Sequence, residues 1–283
     1  MGSEMKYRIA LDSGGELRPN MKDREEFVSV PLTLTINGVH IVDDGHMSQK
    51  EIVDLIALDP AFPKTACPSP QAFYEAFDCG AEHIYAVTLS AELSGSYQSA
   101  FVAMNMYLED HPDAKIHVFN SISASCGETL TAMKIAELEE KGLSFEEVIE
   151  QTEAYIKQKC TMFVLDNLET LRKNGRLSGM KALAAAVLKI KPICYGTETG
   201  TIGQLDQARG INKALVKMVN YVVERTPSPE NLILGISHCN CPDRAEIVKN
   251  EIVKRMKVKD VFVQATGGLS SVYANDGGII VSI

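Results

Sequence analysis

Two serines flank a glycine in a segment that joins a predicted strand to a predicted helix. The segment, Leu89–Ala100, follows the apolar run His83–Thr88 and precedes the helix-like run Phe101–Glu109, which places Ser94–Ser96 where the helix begins. The first amides of a helix have no intrahelical partner, and the helix dipole is positive at that end. The segment therefore predicts either a site for a small anion, such as phosphate or carboxylate, or an ordinary serine N-cap.

A catalytic serine is a second interpretation of the same segment. The nucleophile elbow of a hydrolase reads Gly-x-Ser-x-Gly, whereas Ser94 is preceded by Leu93 and followed directly by Gly95. The stretch Gly235–Cys239 comes closer to the elbow but lacks its last glycine. The sequence points to no obvious histidine and aspartate that would complete a triad. A serine esterase or acyl hydrolase that uses Ser94 is the alternative to a binding site.

Nucleotide and metal sites have weaker sequence signals. Neither Gly-x-x-x-x-Gly-Lys-Ser/Thr nor, after a strand, Gly-x-Gly-x-x-Gly occurs. His238, Cys239 and Cys241 lie close together, but they include no Cys-x-x-Cys pair, and the first two are adjacent. Seven cysteines are an odd number in a chain long enough to form a core, which favours reduced cytoplasmic thiols. We therefore expect no metal and no cofactor.

The overall charge argues against two classes of partner. The 283-residue chain has a formal net charge of −9 and is 45% hydrophobic, so it repels nucleic acid and anionic membranes. The most apolar stretch, Ala182–Ile193, is short and is interrupted by Lys189 and Lys191, and no secretory signal opens the chain. These features predict a cytoplasmic protein with no nucleic-acid partner and no stable membrane anchor.

Basic residues cluster at one place in this acidic chain. The cluster consists of Arg172, Lys173, Arg176 and Lys181. It is interpreted either as a solvated helix end, with cations near its C-terminus, or as a site that recognises a phosphate or an acidic partner surface. Arg209 is a further isolated arginine beside a predicted turn.

The order of predicted elements favours an α/β fold with two domains. In the first half, short apolar strands alternate with helices of ten or more residues, which is typical of a parallel sheet. A strand at Thr161–Asp166 opens a second set of elements with antiparallel character, so the predicted domains are residues 5–159 and 160–283.

Four loops are expected to meet at one edge of the first sheet. Ligands of parallel sheets bind at the carboxyl ends of the strands. The turn after Asp12 and the loops around Ser94 and Ser121 follow predicted strands, and the loop around Thr65, which follows a predicted helix, is a further candidate. The sequence therefore predicts that they line one crevice.

Local patterns define several element ends. Ser48 with Glu51 and Ser144 with Glu147 are capping boxes that open helices. Asn37–Gly38 predicts a tight turn that joins the strand-like run Phe27–Ile36 to a second strand at Val39–Val42 in a hairpin. Two further expectations are a loop at Lys64–Ser69 and a terminal hairpin framed by the glycine pairs within Gly267–Ile283.

Six short motifs occur in a fixed order along most of the chain. They are the turn Ile9–Ser13, the strand Val30–Leu32, the loop Lys64–Ser69, the segment Leu89–Ala100, the segment Asp166–Leu177 and the glycine-rich tail Gly267–Ile283. Leu89–Ala100 is the most specific, since it is similar to Ser-Ser-x-Leu-Ser-Gly-Thr-Tyr-x-Ser-Ala. In this order the motifs resemble the DegV family, whose characterised members, called FakB, bind fatty acids and serve a bacterial fatty acid kinase.

The resemblance implies a fold and a ligand. The fold is a three-layer α/β/α domain with a mainly parallel sheet, followed by a two-layer α/β domain with a mixed sheet, as in DegV and DAK-like proteins. The ligand is one long-chain fatty acid, whose tail lies in an apolar tunnel and whose carboxylate lies between the domains. Phe73, Phe77, Leu89 and Ala182–Leu188 are either tunnel lining or simple core.

Residues matched to the family motifs are assigned roles by the resemblance. The hydroxyls of Thr65 and Ser94 bind the ligand carboxylate, and the amides of Gly95 and Ser96 fit the helix start that contacts it. The partner is a DAK-type fatty acid kinase that supplies ATP and forms the acyl phosphate. On this interpretation the chain is a carrier that presents substrate and is not itself an enzyme.

Two arginines and one tyrosine lie at positions that the resemblance links to the kinase partner. Arg176 and Arg209 match family arginines linked to phosphoryl transfer or kinase docking, whereas Tyr273 stands where the family has a histidine. A tyrosine donates a hydrogen bond but does not take up a proton near neutral pH. The substitution therefore leaves open a lipid-binding paralogue that has no kinase partner. An anion or phospho-ligand sensor without a lipid tunnel is a third hypothesis.

Overall fold

The computed structural model describes residues 5–177 and 189–283. The strands are β1 Tyr7–Asp12, β2 Phe27–Val30, β3 Thr33–Ile36, β4 Val39–Val42, β5 Lys64–Ala66, β6 His83–Thr88, β7 Lys115–Asn120, β8 Thr161–Val164, β9 Ile190–Gly196, β10 Ile202–Arg209, β11 Ile233–His238, β12 Asp260–Ala265 and β13 Ile279–Ser282. The helices are α1 Pro19–Lys22, α2 Gln49–Ala57, α3 Pro70–Phe77, α4 Ser96–Asp110, α5 Cys126–Glu140, α6 Phe145–Gln158, α7 Glu169–Lys173, α8 Ile211–Arg225, α9 Pro242–Val253 and α10 Gly268–Ala274.

A parallel sheet with helices on both faces forms the first part of the protein. Its strand order is β2-β1-β6-β7, and every pairing is parallel. Successive side chains of a strand point to opposite faces. Ile9 and Leu11 accordingly pack against α5 and α6, whereas Ala10 packs against α3 and α4. The predicted three-layer α/β/α arrangement is confirmed.

A mixed six-stranded sheet forms the second part. Its order is β10-β9-β8-β13-β11-β12, with both parallel and antiparallel pairs. Helices α8 and α9 cover one face through a cluster that includes Met218, Val222 and Val248. The other face lies towards α5 of the first part, where Leu130 packs against Phe262. The mixed α/β character of this half is confirmed, while the exact domain division at residue 159 stays a prediction.

A third, small sheet differs from the expectation. Pro31 follows the end of β2, so the predicted run Phe27–Ile36 is two strands that lie in different sheets. The segment at Lys64–Ser69, expected as a loop, begins with strand β5, in which Thr65 pairs with Leu34 of β3. A three-residue strand is too short to show an alternating pattern in the sequence, so β5 is recognised only from its pairing with β3. The hairpin at Asn37–Gly38 is confirmed.

The glycine-rich tail is not the expected hairpin. Residues of Gly267–Ile283 form helix α10 and then β13, which lies antiparallel between β8 and β11. Helix α10 begins where Asp43, a residue distant in sequence, accepts hydrogen bonds from the amides of Gly268 and Leu269 at 3.0 and 2.8 Å. No local pattern reveals such a cap, whereas both capping boxes, at Ser48 and Ser144, are confirmed.

Two expectations fall partly outside the described residues. The apolar stretch Ala182–Leu188 and Lys181 belong to the segment that the structure does not describe. Within residues 5–177 and 189–283, none of the helices combines the length and apolarity that crossing a membrane requires.

Candidate functional site

The loops that follow β1, β6 and β7 contact one another at the carboxyl edge of the parallel sheet. The Leu89 amide donates to Asp12 Oδ2 at 3.0 Å, and the Ser90 amide donates to the Ser123 carbonyl at 2.8 Å. The Ser90 hydroxyl reaches the second part of the protein, where it donates to the Gly200 carbonyl at 2.7 Å. The crevice predicted from the parallel pattern therefore lies against the mixed sheet.

An apolar cavity of about 110 Å³ lies between the two large sheets. This is smaller than the roughly 300–1,000 Å³ of small-molecule sites, so the chemistry of its lining, and not its size, indicates the ligand. Apolar side chains from both parts form most of its wall, among them Leu89, Leu93, Phe163, Leu165, Ile202 and Ile280. Arg176 and Tyr273 are the largest polar side chains that line it. Such a lining suits a ligand with an apolar part and a small polar end.

Thr65 and Tyr273 meet beside this cavity. The Thr65 hydroxyl lies 2.8 Å from the Tyr273 hydroxyl, in hydrogen-bond contact. Strand β5 positions the threonine and helix α10 positions the tyrosine. The shared hydrogen bond uses one of the two hydroxyl protons, so the other proton is available to a ligand.

The predicted helix start is present, with Gly95 as the N-cap and Ser96 as the first residue of α4. The Ser96 amide donates to Ser94 Oγ at 3.2 Å, which leaves the Ser94 hydroxyl proton free to donate. The Ser96 hydroxyl is fully buried and donates to Asp12. The side chain of Ser96 is therefore used inside the protein, whereas Gly95 is exposed.

The Thr65 and Ser94 loops are neighbours. A Cβ atom placed on Gly95 would lie 3.2 Å from the sulfur of Cys67, two residues after Thr65. Cys67 Sγ also lies 3.8 Å from the hydroxyl of Ser99 in the first turn of α4. The structure thus brings Thr65, the Ser94 segment and Tyr273 to one place.

The two arginines differ in position. Arg176 lines the cavity, and its guanidinium donates to the carbonyls of Leu93, at 3.1 Å from Nε, and Asn174. Arg209 is exposed at the end of β10. It lies seven residues beyond Ile202 of the cavity wall, which is roughly 23 Å of extended strand. The structure therefore brings Arg176 to the other candidate residues and leaves Arg209 apart from them.

Of the described residues that the sequence suggested as tunnel lining, one lines the cavity and two do not. Leu89 lines the cavity. Phe73 and Phe77 are on helix α3. They are fully buried against the parallel sheet and α4, where they belong to the core.

Two buried acids are site features that sequence reasoning missed. Asp12 and Glu128 are both fully buried, and burial raises the pKa of each carboxyl. Glu128 lies in the first turn of α5 and is surrounded in sequence by small and apolar residues. A single acid among small and apolar residues is the sequence feature that could have indicated a buried carboxyl here.

Metal ligands do not gather in the described part of the chain. There, no group of three or more His, Cys, Asp and Glu side chains is arranged to hold a metal ion. His238 Nδ1 instead accepts a hydrogen bond from the Cys241 amide at 3.3 Å, and burial lowers the pKa of this histidine.

Known protein sequences match almost the whole chain. The profile of one family, described as uncharacterised proteins of the DegV family, matches residues 6–283. A DegV domain-containing protein from Streptococcus pneumoniae is 35% identical over 279 residues, which are 98% of this chain and 98% of that protein.

Solved structures of related proteins also match almost the whole chain. A DegV family protein from Ruminococcus gnavus, refined with vaccenic acid, is 48% identical with a TM-score of 0.96, and the match covers 99% of this chain and 100% of that chain. The fatty acid kinase B3 protein of S. pneumoniae, loaded with linoleic acid, is 34% identical with a TM-score of 0.90, over 98% and 99% of the two chains. A Eubacterium eligens protein loaded with heptadecanoic acid is 33% identical with a TM-score of 0.87, over 98% of each chain.

Proposed function

The chain belongs to the DegV family, and from this membership we propose that it binds one long-chain fatty acid in the cavity between its two large sheets. The observation that carries the proposal is the apolar cavity with Arg176 and Tyr273 in its wall and the Thr65–Tyr273 hydroxyl pair beside it. The fatty acids bound by the three related proteins support the same ligand class.

The apolar wall accounts for binding of the tail. Each methylene group that leaves water contributes roughly 0.8 kcal/mol before the entropic cost of ordering the chain. Leu89, Leu93 and Phe163 supply apolar wall from both parts of the protein. A ligand held between the two parts is therefore shielded on both sides.

The carboxylate requires several donors, because desolvation of an unpaired charge is costly. The Thr65–Tyr273 pair offers one hydroxyl proton and Ser94 offers another, and the start of α4 offers amides such as that of Gly95. The positive end of the helix dipole favours an anion at the same place. We assign the carboxylate to this position.

A separate DAK-type kinase is the proposed partner that converts the bound acid to its acyl phosphate. Arg209 is exposed and apart from the cavity, which fits contact with a partner protein better than contact with the ligand. Arg176 lines the cavity and fits contact with the carboxylate or the transferred phosphoryl group. The proposed role is that of a non-catalytic carrier in the cytoplasm.

The first test is mass spectrometry of lipid released by denaturing the purified protein, followed by oleate and palmitate titrations. We expect one fatty acid per chain, and Ser94→Ala is expected to weaken binding roughly 3- to 10-fold through loss of one hydrogen bond. Ser144→Ala, which alters only the cap of α6, is the matched control.

The outcomes separate the hypotheses. Unchanged lipid retention in Ser94→Ala contradicts the carboxylate assignment. A protein that is empty and takes up neither fatty acid contradicts the function. Ester hydrolysis that is lost in Ser94→Ala favours an acyl hydrolase.

A further inference from the structure

One buried carboxylate holds both ends of the segment that carries Ser94. Asp12, at the end of β1, accepts hydrogen bonds through Oδ2 from the amide of Leu89 and from the hydroxyl of Ser96. Its Oδ1 accepts from the Gly14 amide at 2.8 Å. Leu89 and Ser96 are the first residue after β6 and the first residue of α4. Asp12 therefore fixes where the segment leaves the sheet and where the helix begins.

The carboxyl of Glu128 lies close to that of Asp12. A Cβ atom placed on Gly14 would lie 2.8 Å from an oxygen of each acid, so both carboxyls lie beside Gly14. If both acids were ionised, neither could donate. Both Glu128 oxygens would then lack a hydrogen-bond partner within residues 5–177 and 189–283. A proton on Glu128 removes this conflict, because the neutral carboxyl donates to the Asp12 carboxylate.

We propose that Asp12 and Glu128 share one proton and act as positioning residues that fix residues 89–96, and with them the anion-binding start of α4. Two like-charged carboxylates in contact repel, so a single shared proton is the stable arrangement of such a pair. That residues 89–96 contact a fatty-acid carboxylate rests on the proposed function, whereas the pairing itself does not.

The charged groups around Glu128 determine when the proton leaves. Burial and the neighbouring charges of Asp12 and Glu16 raise the pKa of Glu128, whereas the ammonium of Lys159 opposes them. The net pKa lies well above the usual value of a glutamate. The pair therefore retains its proton as pH rises through the ordinary range of carboxyls, and loses it only as pH rises through the raised pKa of Glu128. At that point repulsion between the two acids loosens residues 89–96.

Hydrogen–deuterium exchange of the ligand-free protein tests the pair across a pH series, after correction for intrinsic exchange. In the wild type we expect exchange in residues 89–96 to increase as pH rises through the raised pKa of Glu128. Glu128→Gln keeps a donor towards Asp12 at every pH, so this variant is expected to show no such increase. Asp12→Asn lacks the second accepting oxygen and is expected to exchange about tenfold faster at neutral pH.

Glu139→Gln is the matched control, because Glu139 is a buried acid on the same helix that pairs instead with His83 and Tyr85. It is expected to leave exchange in residues 89–96 at the wild-type level. No such increase in the wild type, or the same increase in Glu128→Gln as in the wild type, overturns the shared proton. Unchanged exchange in a folded Asp12→Asn overturns the positioning role. If Asp12→Asn does not fold, the Glu128→Gln profile decides.

Oleate affinity of the same variants separates this inference from the proposed function. A wild-type protein that binds no oleate overturns the function and leaves the exchange result valid. If the wild type binds oleate, Asp12→Asn is expected to lose affinity, whereas Glu128→Gln is expected to keep its affinity as pH rises through the range in which exchange increases in the wild type. If the wild type binds oleate but the two variants do not show these affinities, the proposed Asp12–Glu128 pair is wrong and the proposed function is unaffected.

Discussion

The Thr65–Tyr273 hydroxyl pair is the contact at which the proposed site can be tested residue by residue. Tyr273→Phe removes one hydroxyl and leaves the ring against the cavity, and Thr65→Val removes the other hydroxyl with little change of shape. Each change is expected to weaken oleate binding roughly 3- to 10-fold, since one hydrogen bond contributes about 1 kcal/mol. Titration of each purified variant with oleate measures the loss.

A double-mutant cycle shows whether the two hydroxyls act together. If they share the ligand through their mutual hydrogen bond, Thr65→Val with Tyr273→Phe weakens binding by less than the product of the two single effects. Effects that multiply exactly mean that the hydroxyls contact the ligand independently. Unchanged affinity in both single variants places the carboxylate elsewhere.

At this scale the sequence predicts residue types better than partners. Ser94 at a helix start follows from the strand and helix patterns on either side of it. The contact between Thr65 and Tyr273 joins residues 208 positions apart, and no periodicity encodes that distance. The burial of Ser96 against Asp12 has the same origin, because it depends on the parallel pairing of β1 and β6.

Among the elements, helix α10 depends on a cap from outside itself. The buried carboxylate of Asp43 accepts from the amides of Gly268 and Leu269, which otherwise have no intrahelical partner. Asp43→Ala leaves these two amides unpaired and is expected to cost about 3 kcal/mol of the free energy of unfolding. Because α10 positions Tyr273, oleate affinity is expected to fall as well.

Urea unfolding followed by circular dichroism measures the stability change. Asp44→Ala is the control, since Asp44 is the exposed neighbour, and its carboxylate accepts from the His46 amide at 3.0 Å and lies 3.7 Å from the His46 ring. A loss in Asp43→Ala no larger than that in Asp44→Ala contradicts the capping role. A stability loss with unchanged oleate affinity separates the fold of α10 from the site.

Local and distant signals explain which elements were predictable. The helices that begin at Gln49 and Phe145 carry their own capping boxes, so their starts follow from four residues each. Helix α10 and strand β5 are short, and each is defined by a partner far away in sequence, Asp43 and strand β3 respectively. The glycines around α10 indicated turns, which misidentified the tail as a hairpin.

Across the whole molecule, the two parts are joined by polar contacts as well as by the cavity wall. Besides Ser90 with Gly200, a carboxylate on α5 pairs with Lys259, which directly precedes β12. This carboxylate, Glu137, also pairs with Lys134 and Lys141 of its own helix. The cavity therefore lies between parts that are held together by charge at another point of their contact.

Glu137 makes the stability of this arrangement depend on pH. Burial alone would raise the pKa of its carboxyl, but hydrogen bonds from Lys141 and Lys259 outweigh burial, and the pKa falls to about 2. A carboxyl with a lowered pKa stabilises the folded state above its unfolded pKa, and this contribution disappears as pH falls through the folded value. The expected window of loss runs from the ordinary glutamate value down to about pH 2.

Glu137→Gln is therefore expected to lower the free energy of unfolding by about 1–2 kcal/mol at neutral pH, a value reduced for the partial exposure of the ion pairs. Urea unfolding at a series of pH values measures the difference from the wild type, which should shrink towards zero as pH approaches 2. Glu150→Gln on α6 is the control, because Glu150 is exposed and has no ion pair within the described ranges. A difference that persists undiminished in acid means that Glu137 stabilises the protein by packing, and that charge does not hold the two parts together at this point.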